Sequence, residues 1–262
     1  MPASIPFDRA SEYYDETRGF PPGVEIQVAA LIAQAAHLDR TSRVLEIGVG
    51  TGRIGLPLSQ HTAAYVGVDL SVPMMQRLQA KRQGEPIHCA QADATRLPCA
   101  ANRFDAAVSV HVFHLIPGWR QALAELTRVL HPEGVLLNCW NGGREHPQVT
   151  RLWDAWNAAI PETRRSTVGA DARTNPNFLD EVGWIKQGSE QVLTYPVRFK
   201  LVDHMDRLRR RIWSRLWKLT DDELQTGIAA VEAAAAQSFN APDAELDQVG
   251  EFHVQAYRKP VV

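Results

Sequence analysis

The stretch Val44-Leu-Glu-Ile-Gly48-Val-Gly50-Thr-Gly52-Arg-Ile54 decides the fold: a short apolar run ends in three glycines at alternate positions. Glycines placed directly after a buried strand let the chain turn sharply. They also let backbone N–H groups approach a ligand with no Cβ between, as in nucleotide-binding loops. The segment Gly50-Thr-Gly52-Arg-Ile-Gly55 also fits the GxGxxG dinucleotide spacing. Its register argues against that use, because a dinucleotide loop places its first glycine straight after the strand, and here Gly48 already holds that place. Counted from the strand, the pattern is Glu46-x-Gly48-x-Gly50-x-Gly52, with an acid inside it.

Outward from this loop, short β-branched runs alternate with helical patterns from residue 24 to 140, the signature of βαβ units and a parallel sheet. A helix over about Val24 to His37 precedes the strand Arg43 to Ile47, and a helix follows from about Arg53. The strand Ala64 to Val68 ends in Asp69. Ser71 is placed to cap a helix over Val72 to Gln83, with Pro73 in its first turn. Pro86 to Gln91 reads as a third strand. The nearly unbroken apolar run Phe104 to Val112 reads as a central strand buried on both faces. An amphipathic helix over Gln121 to Leu130 stops at His131-Pro-Glu-Gly134, before a fifth strand over Val135 to Trp140.

After residue 140 the rhythm changes. Residues 147–160 read as helix, 161–177 as polar turns, and 178–200 as a short helix and then an extended run from Gln191 to Lys200. Residues 203–239 read as helical, with Met205, Leu208, Ile212, Leu216 and Leu219 on one stripe and a Thr220–Glu223 capping box opening a second helix. Glu251 to Tyr257 alternates like a strand with one wet face. The expected organisation is one α/β domain: a core over 1–140, a cap segment with a sheet strand over 141–200, a helical insertion over 201–247 and a final strand over 248–262.

Four further segments fall in a telling order: Gly67-Val-Asp69-Leu-Ser, Ala92-Asp93-Ala94-Thr-Arg-Leu-Pro98, Phe104-Asp105, and Ala124-Glu-Leu-Thr-Arg-Val-Leu-His-Pro-Glu-Gly134. With the glycine motif they resemble the successive motifs of class I S-adenosylmethionine (SAM)-dependent methyltransferases, most closely the ubiquinone and menaquinone biosynthesis branch (methyltransferase type 11). The likeness covers about residues 7 to 140, including Phe7-Asp8, Tyr14-Asp15 and Arg18. It implies a Rossmann-like sheet, mostly parallel, of seven strands with the last antiparallel, carrying helical cap insertions. It also implies SAM as cofactor, S-adenosylhomocysteine as product, and a small-molecule methyl acceptor. The cofactor residues implied are Tyr14, Arg18, Glu46, Gly48, Gly50, Gly52, Asp69, Leu70, Met74, Asp93, Ala94 and Val110.

The residue types suit those roles. Asp69, at the end of the second strand, is placed to accept both ribose hydroxyls of an adenosine lying across the strand ends; its plainer use is as a helix N-terminal charge. In the family the acid at Asp93 bonds the adenine amino group, and otherwise it forms a turn. Glu46 either holds the methionine end or only fixes the loop, while Leu70 and Met74 would flank the adenine unless Met74 is plain core. Methyl transfer from a sulfonium mainly needs alignment and exclusion of water, so a base is optional. Candidates for contact with the acceptor lie at the tip of the fourth strand. His111 is read there as base or orienter and His114 as framework, on opposite faces if the segment stays extended.

Seven tryptophans, among them Trp140, Trp153, Trp156, Trp213 and Trp217, suggest either core packing or an aromatic cage for a cation. Arg207, Arg211 and Arg215 form a helical stripe in a segment, Arg207 to Lys218, with six basic residues; it is a solvated face, or a site for an anionic substrate or RNA. The alternatives carried are therefore an RNA-modifying methyltransferase and a SAM-binding protein without turnover. Overall charge gives RNA no support, since 28 Lys+Arg stand against 30 Asp+Glu. No apolar run reaches the ~20 residues of a membrane span, and the start lacks a secretory pattern, so a cytoplasmic home is expected. Cys89, Cys99 and Cys139 read as free thiols, and no metal site is expected.

Overall fold

The β-branched runs pair into one seven-stranded sheet in the computed structural model, which describes residues 4–165, 167–172, 174–241 and 243–260. Its strands are β1 (Arg43–Ile47), β2 (Ala64–Asp69), β3 (Ile87–Gln91), β4 (Phe104–Val110), β5 (Leu130–Arg144), β6 (Ile185–Lys200) and β7 (Glu245–Arg258), in the order β3-β2-β1-β4-β5-β7-β6. β1 pairs in parallel with β2 and β4, β3 joins β2 and β5 joins β4, while the last strand is antiparallel. The chain order reverses between β1 and β4. In open α/β sheets a ligand crevice forms beyond the carboxyl ends of the strands at such a switch point.

The helices are α1 (Tyr14–Arg18), α2 (Val24–Ala35), α3 (Gly55–Ser59), α4 (Val72–Lys81), α5 (Trp119–Val129), α6 (Pro147–Ala159), α7 (Glu162–Arg165), α8 (Leu201–Arg209) and α9 (Asp221–Ser238). Ser71 caps α4 as expected, its hydroxyl accepting from the Met74 N–H at 3.3 Å. The helix expected from Arg53 starts two residues later, because residues 51–54 are used by the turn that leaves the glycine loop. β5 begins earlier than expected: Phe104 pairs with Leu130 and Ala106 with Val135, so residues 131–134 bulge out of the ladder. Gly134 permits this close approach, since a Cβ there would meet three carbonyl oxygens at 3.0–3.2 Å.

The chain forms two compact units. The first comprises residues 1–141, 168–193 and 252–262. Its core packs Leu45, Ile47 and Ala107 of the central strands with Leu123 and Leu126 of α5 and with Phe178, Leu179, Trp184 and Tyr257. The second comprises 142–167 and 194–251, and its core holds Leu152, Trp156, Leu208, Leu216, Ile228 and Val231. Here α6 lies against α9 so closely that a Cβ at Gly227 would fall 2.5 Å from the Trp156 ring.

The helix expected through residues 203–219 is overturned. It ends at Arg209, and Arg211 is left-handed at φ 54°. Arg211 then staples the turn: its carbonyl accepts from Trp217 Nε1 at 2.8 Å, its guanidinium donates to the Leu219 carbonyl at 2.6 Å, and it pairs with Asp221. Ile212, Leu216 and Leu219 stay buried because a short 3₁₀ turn over Ser214–Leu216 keeps their three- and four-residue spacing pointing inward. Trp213 and Trp217 therefore share no α-helical face, and the Arg207–Arg211–Arg215 stripe does not exist.

Candidate active site

Gly48, Gly50 and Gly52 all have positive φ, at 72°, 54° and 77°. Backbone of this hand strains any residue with a Cβ, and at Gly48 a Cβ would also strike Val112 at 2.5 Å. The N–H groups of Gly48 and Val49 both donate to the Val68 carbonyl, at 2.8 and 3.1 Å, tying the loop to β2. The Gly50 N–H donates to Asp69 Oδ2 and the Ser71 N–H to Oδ1, each at 2.8 Å. Asp69 thus holds the loop and the start of α4 with one carboxylate. Burial pushes its pKa up, against the pull of these N–H donors. Each oxygen retains a further lone pair for a ligand hydroxyl.

Beneath the loop, Glu46 is 2% exposed and accepts from the Tyr65 hydroxyl at 2.9 Å. Burial lifts its pKa to about 8, although the Tyr65 hydrogen bond and the Arg53 charge work the other way. A cleft over this floor is lined by Tyr14, Glu46, Gly48, Gly50, Thr51, Arg53 and Val110. The N-terminal segment closes one side. Thr51 donates to Asp15 at 2.5 Å, Asp15 also pairs with Lys81, and Arg53 donates to the Arg18 carbonyl at 2.8 Å while lying over the Phe20 ring.

Of the residues expected to meet the cofactor, Tyr14, Glu46, Gly48, Gly50 and Val110 come together in this lining, and Asp69 adjoins it through Gly50. Arg18 reaches the loop through its carbonyl. Gly52 lies over Leu78 of α4, and Met74 is core, 2% exposed, beneath Gly50. Leu70 and Asp93 follow the ends of β2 and β3. Asp93 Oδ1 accepts both the N–H and the hydroxyl of Thr95 at 2.8 Å, the turn-forming use, and Ala94 is buried beside it. Tyr65 escapes functional notice in the sequence because it reads as strand core, and Asp15, quoted only within the Tyr14-Asp15 segment of the likeness, is given no role there because it lies far from the loop along the chain.

A second cleft opens beyond the end of β4 and alongside β5, lined by His111, Phe113, His114, Asn138, Trp140, Asp171 and Phe178 among others, all within the first unit. The strand expected to run to Val112 stops at Val110, because His111 turns left-handed at φ 52°. His111 and His114 consequently line one cleft, ring centroids 6.4 Å apart and edge-on, rather than opposite faces. The Asn141 N–H donates to His111 Nε2. That nitrogen therefore acts as an acceptor, with the ring held against β5.

A glycine loop at a switch point, an acid under it and an acid after β2 define a class I methyltransferase fold. Residues 45–138 match the methyltransferase domain family. A demethylmenaquinone methyltransferase of Thermus thermophilus is 35% identical over 99 residues, which is 36% of this chain and 45% of that protein. Other curated relatives, 32% identical over 108 residues, are matched over only 39% of their length. Among solved structures, the YcgJ protein of Bacillus subtilis superposes with a TM-score of 0.59 at 18% identity, covering 90% of this chain and 99% of that one. Haemonchus contortus phosphoethanolamine N-methyltransferase 2, solved with phosphomonomethylethanolamine and S-adenosylhomocysteine, superposes at 0.54 with 17% identity, over 97% of this chain and 58% of that one.

Proposed function

We propose that the protein is a SAM-dependent methyltransferase acting on a small organic molecule. The observation that carries this reading is the Asp69 carboxylate, fixed against the Gly50 N–H beside the cleft over Glu46. The donor set fits the cofactor. Asp69 suits the two ribose hydroxyls, Glu46 the methionine ammonium, and the left-handed glycines leave room for a ligand to approach the backbone. Bound SAM supplies a methyl group already activated on a sulfonium, so the chain has only to bind, orient and exclude water. Tyr14 and Val110 wall the cofactor cleft, and the next residue, His111, turns into the second cleft, where the acceptor would lie. His111 is assigned an orienting role rather than that of a base, since its Nε2 is engaged by Asn141.

Two rivals lose support. An RNA substrate needs a basic patch, yet Arg209 pairs with Glu232, Arg210 with Asp206 and Arg211 with Asp221. A binding protein without turnover needs no cleft beyond the cofactor, and one is present. Acceptor choice is assigned to residues after 140, of which 170–172 and 178 already line the second cleft. Calorimetric titration with SAM, S-adenosylhomocysteine and NAD tests the reading: the first two should bind and NAD should not. Tight NAD binding without SAM binding would overturn it.

A further inference from the structure

Glu46 is held in place by a residue that the cofactor cleft does not include. Glu46 of β1 lies beside Gly67 of β2 in the sheet, so Tyr65, two residues earlier on β2, faces the same way. Tyr65 is completely buried, and its hydroxyl donates to Glu46 Oε2 at 2.9 Å. The same oxygen is packed under the start of α3, where a Cβ at Gly55 would fall 2.8 Å from it. Glu46 also lines the cleft, and none of the described residues bonds its other oxygen, Oε1. Packing alone gives no reason for a hydroxyl at position 65, since burying one is costly unless it is bonded. The other ionisable groups that act on Glu46 are Arg53 before α3 and Asp69 at the end of β2, with the thiols of Cys89 on β3 and Cys139 on β5, both pushed up by burial and so neutral. Tyr14 of α1 lines the same cleft.

From this geometry we infer, resting on the methyltransferase reading above, that Tyr65 is a positioning residue of the cofactor site: by taking Oε2 it leaves Oε1 of the carboxylate for the methionine ammonium. A hydroxyl that donates to a carboxylate favours the ionised form, which is the form an ammonium needs. Burial drives Glu46 the other way and, opposed by Tyr65 and Arg53, leaves its pKa at about 8. The Tyr65 bond therefore helps to set the pH at which the site can hold its ligand. Burial and the Glu46 charge push the Tyr65 phenol well up, so it stays a donor throughout that range.

The test is calorimetric titration with S-adenosylhomocysteine between pH 6 and 9. Affinity of the native protein should rise with pH through a midpoint near 8. In Tyr65→Phe the midpoint should move up by about 0.5–1 pH unit, so that binding is about three- to tenfold weaker at pH 7 and within about twofold of native at pH 9. Placing 3-fluorotyrosine at position 65, a stronger donor of nearly the same shape, should move the midpoint down, and this arm decides if the Phe variant does not fold. In a Glu46→Gln background neither change at position 65 should alter the pH profile. A midpoint that stays put in Tyr65→Phe overturns the inference, and so does a loss of equal size at every pH, which a packing role alone would give. A native profile with no pH dependence overturns it too and leaves the methyltransferase reading standing, because the ligand is then held without Glu46. Failure of S-adenosylhomocysteine to bind at any pH strikes the parent reading instead.

Discussion

Asp69 and Glu46 lie on neighbouring strands under one loop, yet their environments set them different tasks. Asp69 accepts two backbone N–H groups and keeps lone pairs for hydroxyls, so Asp69→Ala should weaken SAM binding by about 1.5–3 kcal/mol, the range for hydrogen bonds to a charged group. Titration calorimetry on the folded variant checks this, and an unchanged Kd would place the ribose elsewhere. Glu46, with a pKa of about 8 raised by burial, is largely protonated at neutral pH. An ammonium group binds best to the ionised form, so cofactor binding should release a proton from Glu46 and strengthen as pH rises from 6 towards 8. Titrations in buffers of different ionisation enthalpy will count that proton, and Glu46→Gln should release none.

At the scale of elements, the second unit offers the cleanest stability test. Thr220 and Glu223 form the reciprocal capping box of α9, with bonds of 3.2 and 2.8 Å. Thr220→Ala should cost about 1 kcal/mol, read as a shift in the urea midpoint without a change in slope. This box was legible in the sequence, as were β1, β2, the cap of α4 and the glycine register, because each rests on residues adjacent along the chain. The turn after α8 was not. Its apolar spacing serves a 3₁₀ turn as well as an α-helix, and the deciding bonds come from Arg211 reaching eight and ten residues ahead. The same limit hid half the site: Asp15 meets Thr51 across 36 residues, and the second cleft takes residues from around 111, 138 and 171, which no local pattern joins.

Across the whole molecule, the two units carry buried titratable groups with opposite pH consequences. In the first, Glu46 has its pKa raised to about 8 from 4.5, so the stability it contributes is fully present below pH 4.5 and is lost as pH rises towards 8. In the second, His204 is 5% exposed among the rings of Trp153, Phe199 and Trp213, with Nε2 unpartnered among the described residues. Burial and then the charges of Arg215 and Arg207 pull its pKa down to about 4 from 6.5. Its contribution is therefore complete above pH 6.5 and is lost as pH falls towards 4, a swing on the order of 3 kcal/mol. Hydrogen exchange followed by peptide mass spectrometry reads each unit separately. Between pH 6.5 and 4.5, protection of α6 and α9 should fall while protection of β1 and β2 rises, after correction for the intrinsic pH dependence of exchange. His204→Phe should flatten the first slope without touching the second, and Glu46→Gln the reverse. If the His204 variant keeps the acid-side loss of protection in α6 and α9, the buried imidazole is not its source.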